Sequence, residues 1–215
     1  MKEDIIIVGT GGHAAHLVDI IESEPDKYNL LGFTAIENDI SSFLGYPILG
    51  DDGVLEYYYG KGVKKLVIGV GGFVDNSLRK KLYERLKSMG FYIEPLIHSS
   101  AIISKHSKIS EGVVVFPMVY IGPGVEVGVN TIIAPSSTVA HGTKIGNHTL
   151  ISSSVHIGGD VKIKDNIVLA IGSTVISGDI TIENNITVGA GSTVLSNLIE
   201  EGTYIGTPAK KMNKK

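Results

Sequence analysis

The sequence predicts a two-part fold: an α/β half over residues 1–96, then an all-β parallel β-helix over residues 97–215. Three observations carry this. The first part alternates short apolar runs with amphipathic stretches. The second keeps an aliphatic residue at every sixth position. The 27 glycines are spread along the chain without low complexity, as many tight turns require.

In the first part, "IIIVG" at 5–9 reads as a buried parallel strand. "GTGGHA" and an apolar-periodic helix from His13 to Ser23 follow it. "LLGFT" (30–34) and "KLVIGV" (65–70) are two more strands. "DNSLRKKLYERLKSMG" is a helix with Asp75 or Asn76 as N-cap and Gly90 as its stop. Strand–helix alternation over this length makes a small half-Rossmann-like sheet. The part ends near "PLIHSS", residues 95–100.

From Ile97 to Val175, fourteen consecutive sixth positions are Ile, Val or Leu; after a one-residue slip the beat resumes at Ile182, Val188 and Val194. Six residues form one short strand and one corner, so three sixes make a triangular coil of eighteen. The aliphatic points into the prism, and coils stack ~4.8 Å apart through backbone hydrogen bonds. Small residues such as Ser136, Ser137, Thr138 and Gly146 suit the corners. Val113, Val119 and Val125 are expected to face outward and to need cover from other copies of the chain.

Composition narrows the function. Net charge is −3 with both signs scattered, which disfavours nucleic acid and anionic membrane as partners. With no cysteine, disulfides and thiolate metal sites are impossible. The run after "MKED" is too short for a signal-peptide core or a membrane span, so a cytoplasmic protein without membrane insertion is expected. Of seven histidines, His98, His106, His141, His148 and His156 lie on the repeat. Ligands on adjacent coils should be eighteen or thirty-six residues apart; His106 and His141 are thirty-five apart, and one residue flips a strand side chain to the other face. No metal is expected, which counts against a metal-dependent hydratase.

"GTGGHA" matches G-x-G-x-x-A at Gly9, Gly11 and Ala14. Such a turn brings phosphate oxygens to the N–H groups that open a helix. A dinucleotide would want an acid near the end of the second strand, where only Glu37 is available. One nucleotide diphosphate fits a half-sized domain better, and a tight turn without ligand is the third reading. His141, two residues after the core aliphatic Val139, is expected to point outward.

Over nearly its full length the chain resembles the sugar N-/O-acyltransferases, typified by the bacterial UDP-amino-sugar acetyltransferases and the sialic acid O-acetyltransferase group. "IIIVGTGGHA", "GVGGF…LRKKL", "LIHSSAIIS", "STVAHGTKIG" and "IGTPAKKM" carry the resemblance, in that order. It implies a left-handed β-helix, a homotrimer, and acetyl transfer from acetyl-CoA to the amine of a nucleotide-linked amino sugar in surface polysaccharide or glycan synthesis. A sugar O-acetyltransferase and a non-catalytic nucleotide-sugar binder are the alternatives. By the same resemblance His141 is the general base. Gly11, Gly12, His13 and Gly71 bind the sugar nucleotide, and Gly159, Ile171, Ala190 and Pro208 line the coenzyme A channel. The sequence departs from the family pattern at three places. Gly142 stands where an acid usually follows the histidine, Thr34 and Ala35 replace an acidic pair that reads uracil, and Leu150 replaces a histidine that contacts acetyl-CoA.

Overall fold

The computed structural model describes residues 2–36, 40–72 and 76–212. Its first part holds β1 (Glu3–Val8), α1 (Gly12–Glu22), β2 (Tyr28–Thr34), β3 (Ser42–Phe43), β4 (Tyr46–Gly50), α2 (Leu55–Gly60), β5 (Lys65–Ile68), α3 (Ser77–Ser88) and β6 (Tyr92–Ile93). The expected strands and both long helices are present; β3, β4, α2 and β6 were too short or too polar to stand out. The sheet runs β3-β4-β2-β1-β5-β6, and only the β3–β4 pair is antiparallel. With β2 on one side of β1 and β5 on the other, the chain changes direction at β1. Ligands of open α/β sheets bind at the carboxyl ends of strands beside such a point.

Helix α3 starts one residue after Asn76, whose side chain makes no capping bond; its amide donates instead to the carbonyl of His148, 2.9 Å away in the second part. Asp75, the other expected cap, and Glu37, the acid considered for a ribose, lie outside the described residues.

From Leu96 onward the coils contribute strands, most of two residues, to three parallel faces of a left-handed β-helix. Register advances by eighteen residues per coil (Val114 pairs with Leu96 and with Ile132) and by nineteen across the slip, where Ile163 pairs with Ile182. An antiparallel tail strand, Lys210–Lys211, closes the far end on Gly202–Ile205.

The interior corrects one expectation. Val113, Val119 and Val125 are buried inside the single chain. In extended backbone, alternate residues share a face, so the residue two before each core aliphatic also points inward. The sequence therefore holds a second beat, continued by Thr131, Ser137, Thr143, Thr149, Val155 and Val161, all fully buried. Thr143 and Thr149 satisfy their hydroxyls on carbonyls of the next coil.

The outward position between the two beats gives each face its chemistry. The first face presents Leu96, Val114, Ile132, Leu150 and Val168; the second Ile102, Tyr120, Thr138, His156 and Thr174; the third Lys108, Glu126, Lys144 and Lys162. The first face is buried beneath the α/β part, and the two share one continuous hydrophobic core running from Ile5 and Leu17 to Val194. A separate cluster, with Leu55, Leu86 and Phe91, fills the other side of the six-stranded sheet. The change of period at residues 95–100 is thus a change of architecture without a break in packing.

Candidate active site

β1 delivers the chain into the turn Gly9–Gly12. Gly11 has φ +132°, open to glycine and strained for any other residue. It is the N-cap of α1, which has neither a side-chain cap nor an acid in its first turn. A side chain on Gly11 or Gly12 would meet no atom within 4 Å, so the positive helix end faces open space.

His13, in the first turn of α1, leaves that space for a cavity. Its ring lies 5.7 Å from the Phe116 ring, which His16 also meets edge-on at 5.6 Å. The backbone of Gly71 passes so close that an added Cβ would stand 3.0 Å from Cβ of His13. Two expected substrate residues therefore touch. Nε2 of His13 lies 3.4 Å from the guanidinium of Arg79. Burial first, then the charges of Arg79 and His16, hold the His13 pKa well below the ordinary 6.5.

Arg79 was not anticipated from sequence. It is fully buried, and it donates to the carbonyls of Ile68 (2.9 Å), Val70 (2.8 Å) and Gly112 (3.2 Å). It thereby ties β5 and the β-helix together behind His13. Burial lowers its pKa to about 9, which leaves it charged at neutral pH. An arginine in a helix rich in lysine and a second arginine gives no sequence signal.

His13, Gly72, Phe116, Leu150, Val168 and Ile171 are among the residues around a cavity of about 540 Å³ between the α/β part and the first face. It joins an expected substrate residue, His13, to an expected coenzyme residue, Ile171. Ala190 lies one coil beyond Ile171 at the same corner, where the N–H of Gly191 donates to the Ile171 carbonyl at 3.0 Å. Pro208 lies in the tail, pinned by the bond from Ala209 N–H to the Thr193 carbonyl at 2.8 Å. This apolar corner with a small-residue rim suits a pantetheine chain better than a charged ligand.

His141 is elsewhere. It sits at the corner between second and third faces, its side chain 66 % exposed. The ring lies flat over Gly159, where an added Cβ would stand 2.6 Å from Cε1. Nδ1 faces the carboxylate of Asp160 at 3.8 Å, and the N–H of Asp160 donates to the His141 carbonyl at 2.9 Å. Gly159, expected along the coenzyme channel, is the floor under the imidazole. In one chain the expected residues thus form two groups, separated by the second face. Among the described residues no cluster of three or more His, Asp or Glu could hold a metal, and no helix is long and apolar enough to cross a membrane.

Residues 4–86 match the PglD N-terminal domain. The whole chain is similar to GDP-perosamine N-acetyltransferase of Caulobacter crescentus. A histidine-to-alanine variant of that enzyme in complex with CoA and GDP-perosamine is 28% identical, with 98% of this chain and 97% of that one covered and a TM-score of 0.90. PerB of the same organism, with the same two ligands, is 29% identical over the same shares at a TM-score of 0.89. Over its full length the chain is thus similar to sugar N-acetyltransferases, with the PglD N-terminal match confined to its first part. The acetyltransferase domain of PglB from Neisseria gonorrhoeae, 23% identical over 98% of this chain and all of that one, shares the fold at a TM-score of 0.89.

In this chain the absent acid after His141 has a counterpart one coil on. Asp160 is the counterpart. Sequence reading looked for the partner of His141 at the next residue, whereas the β-helix puts neighbours nineteen residues apart beside one another.

Proposed function

We propose that this protein transfers the acetyl group of acetyl-CoA to the amine of a nucleotide-linked amino sugar. Full-length similarity to an N-acetyltransferase with CoA and GDP-perosamine bound carries this reading. Residues 1–96 hold the sugar nucleotide, with its diphosphate at Gly11 and Gly12 and its sugar directed past His13 and Gly71. Residues 97–215 hold acetyl-CoA along the corner of Ile171 and Ala190, with Pro208 near its far end and Gly159 under the base. Acetyl-CoA supplies an activated thioester. Such substrates place the reaction in the cytoplasm, on a route to surface polysaccharide or glycan.

The attacking amine must lose a proton, and neutral imidazole is the side chain tuned to take one near pH 7. Nδ1 of His141 faces Asp160, which leaves Nε2 as the proton acceptor. The same Nε2–H can return the proton to the departing sulfur. The Asp160 contact answers one motive for a non-catalytic reading, the bare Gly142; the other, Leu150, lines the 540 Å³ cavity.

Because His141 and the 540 Å³ cavity lie on different corners, the site is complete only when a second copy brings its His141 to the cavity. A closed homotrimer does this with one repeated contact. The first face is covered and the third carries a ladder of lysine and glutamate, which leaves the second, free of Lys, Arg, Asp and Glu, for the contact.

The test is thiol release from acetyl-CoA by the purified chain, offered GDP-, UDP- and dTDP-linked amino sugars and the matching hydroxyl sugars. Turnover that requires the amine supports the proposal. Turnover of hydroxyl sugars alone would replace it with O-acetylation, and a silent panel would overturn it.

A further inference from the structure

A second cavity, of about 320 Å³, opens at the carboxyl ends of β1, β2 and β5 against α3. Gly9 lines it, so it adjoins the open N-terminus of α1 on the side away from His13. Its walls are apolar, from Val8, Val70, Leu78 and Leu82. At its rim Ile36 is 90 % and Leu78 65 % exposed. These two large apolar side chains of the lining face water, which suits the cavity to stacking a flat ring.

The polar content of the slot is one organised group. Asp52, from the 3₁₀ turn Asp52–Val54 after β4, accepts the hydroxyl proton of the fully buried Thr34 at 2.5 Å and pairs with the guanidinium of Arg85. Thr34 and Arg85 engage one oxygen each, so each carboxylate oxygen keeps a further lone pair. The slot thus presents two adjacent acceptors with a cation beside them; Lys81 also lines it.

We infer that Asp52 is the specificity-determining residue for the nucleotide base and that the base is guanine. This rests on the acetyltransferase reading and specifies its substrate. Guanine offers two adjacent donors, N1–H and N2–H, next to the acceptor O6. Those donors match the two free lone pairs of Asp52, and O6 matches Arg85. Uracil and thymine have a single N–H between two carbonyls and would set one carbonyl against the carboxylate. Adenine and cytosine have no ring N–H on that edge. Asp52 therefore supplies from β4 the carboxylate that Thr34 and Ala35 lack at the end of β2.

The test is calorimetric titration of the full-length chain with GDP, UDP, dTDP, CDP and ADP, repeated on Asp52→Asn, Arg85→Gln and His13→Gln. GDP should bind on the order of tenfold more tightly than the others, as a good bidentate base contact implies. Asp52→Asn, which puts a donor against a donor, should remove that margin; Arg85→Gln should reduce it. His13→Gln, on the sugar side, should leave the ranking of free diphosphates intact. A wild-type preference for another base, or an unchanged ranking in both Asp52→Asn and Arg85→Gln, overturns the inference. Amine-dependent turnover alongside such a ranking would leave the acetyltransferase reading standing alone. A GDP preference without turnover would sink that reading and keep Asp52 as a guanine reader.

Discussion

The carboxylate of Asp160 stands 3.8 Å from Nδ1 of His141 and fills the space that a side chain on Gly142 would occupy. A Cβ built on Gly142 would lie on top of Oδ1 of Asp160. An acid after the histidine would push the Asp160 carboxylate aside, and this chain has the acid one coil later. General-base assistance is worth ~10²–10⁴ in rate. His141→Ala should lower turnover by about that factor with acetyl-CoA affinity nearly intact. Asp160→Asn should give a smaller loss, in kcat and not in KM. Steady-state kinetics on both variants check this, and wild-type turnover in His141→Ala would make the histidine plain surface.

Gly142→Glu is the sharper experiment. Gly142 has φ +69°, where a non-glycine residue costs roughly 1–2 kcal/mol, and the new side chain collides with Asp160. The single variant should be slower and less stable than wild type. Gly142→Glu combined with Asp160→Gly frees the space and should recover part of the lost rate. A double-mutant cycle measures that coupling. Additive losses would show that the two positions do not compete for the ring.

The two-part architecture, the slip after Val175 and the outward aim of His141 were legible because period and alternation are local properties of a chain. The inward aim of Val113, Val119 and Val125 was legible too, had alternation been applied two residues upstream of each core aliphatic. The partners of the key polar groups were not legible. Asp160 meets His141, Asp52 meets Thr34, and Arg79 meets Gly112 only after coils stack and strands pair. Each is a surface-type residue by sequence, and only the fold determines what it faces.

Half-buried His13 makes stability depend on pH. Its pKa in the folded chain lies below the ordinary 6.5, and that of His148 is lowered too, chiefly by burial. Below 6.5 the unfolded chain takes up protons that the folded chain refuses. Stability is therefore full above about pH 6.5 and falls as pH drops from there toward the lowered folded values, by at most ~1.4 kcal/mol per pH unit for each group. Urea midpoints between pH 8 and pH 5 should show the decline, and His13→Gln should flatten it. An equal slope in the variant would assign the decline to other groups.

The proposed trimer would use the second face. Met118 is 70 % and Ile102 67 % exposed in the single chain, and Tyr120 stands directly between the coils of Ile102 and Thr138. An uncharged exposed surface of this kind suits the repeated head-to-tail contact that a ring of three 22.8 kDa chains requires. Sedimentation should give the trimer mass, and a stable monomer at micromolar concentration would remove the composite site. Tyr120→Glu puts a charge in the middle of that face and should yield monomers. It touches neither the 320 Å³ slot nor the α1 turn, so nucleotide binding should survive. Turnover should not, because the His141–Asp160 pair of one copy could no longer reach the cavity of its neighbour.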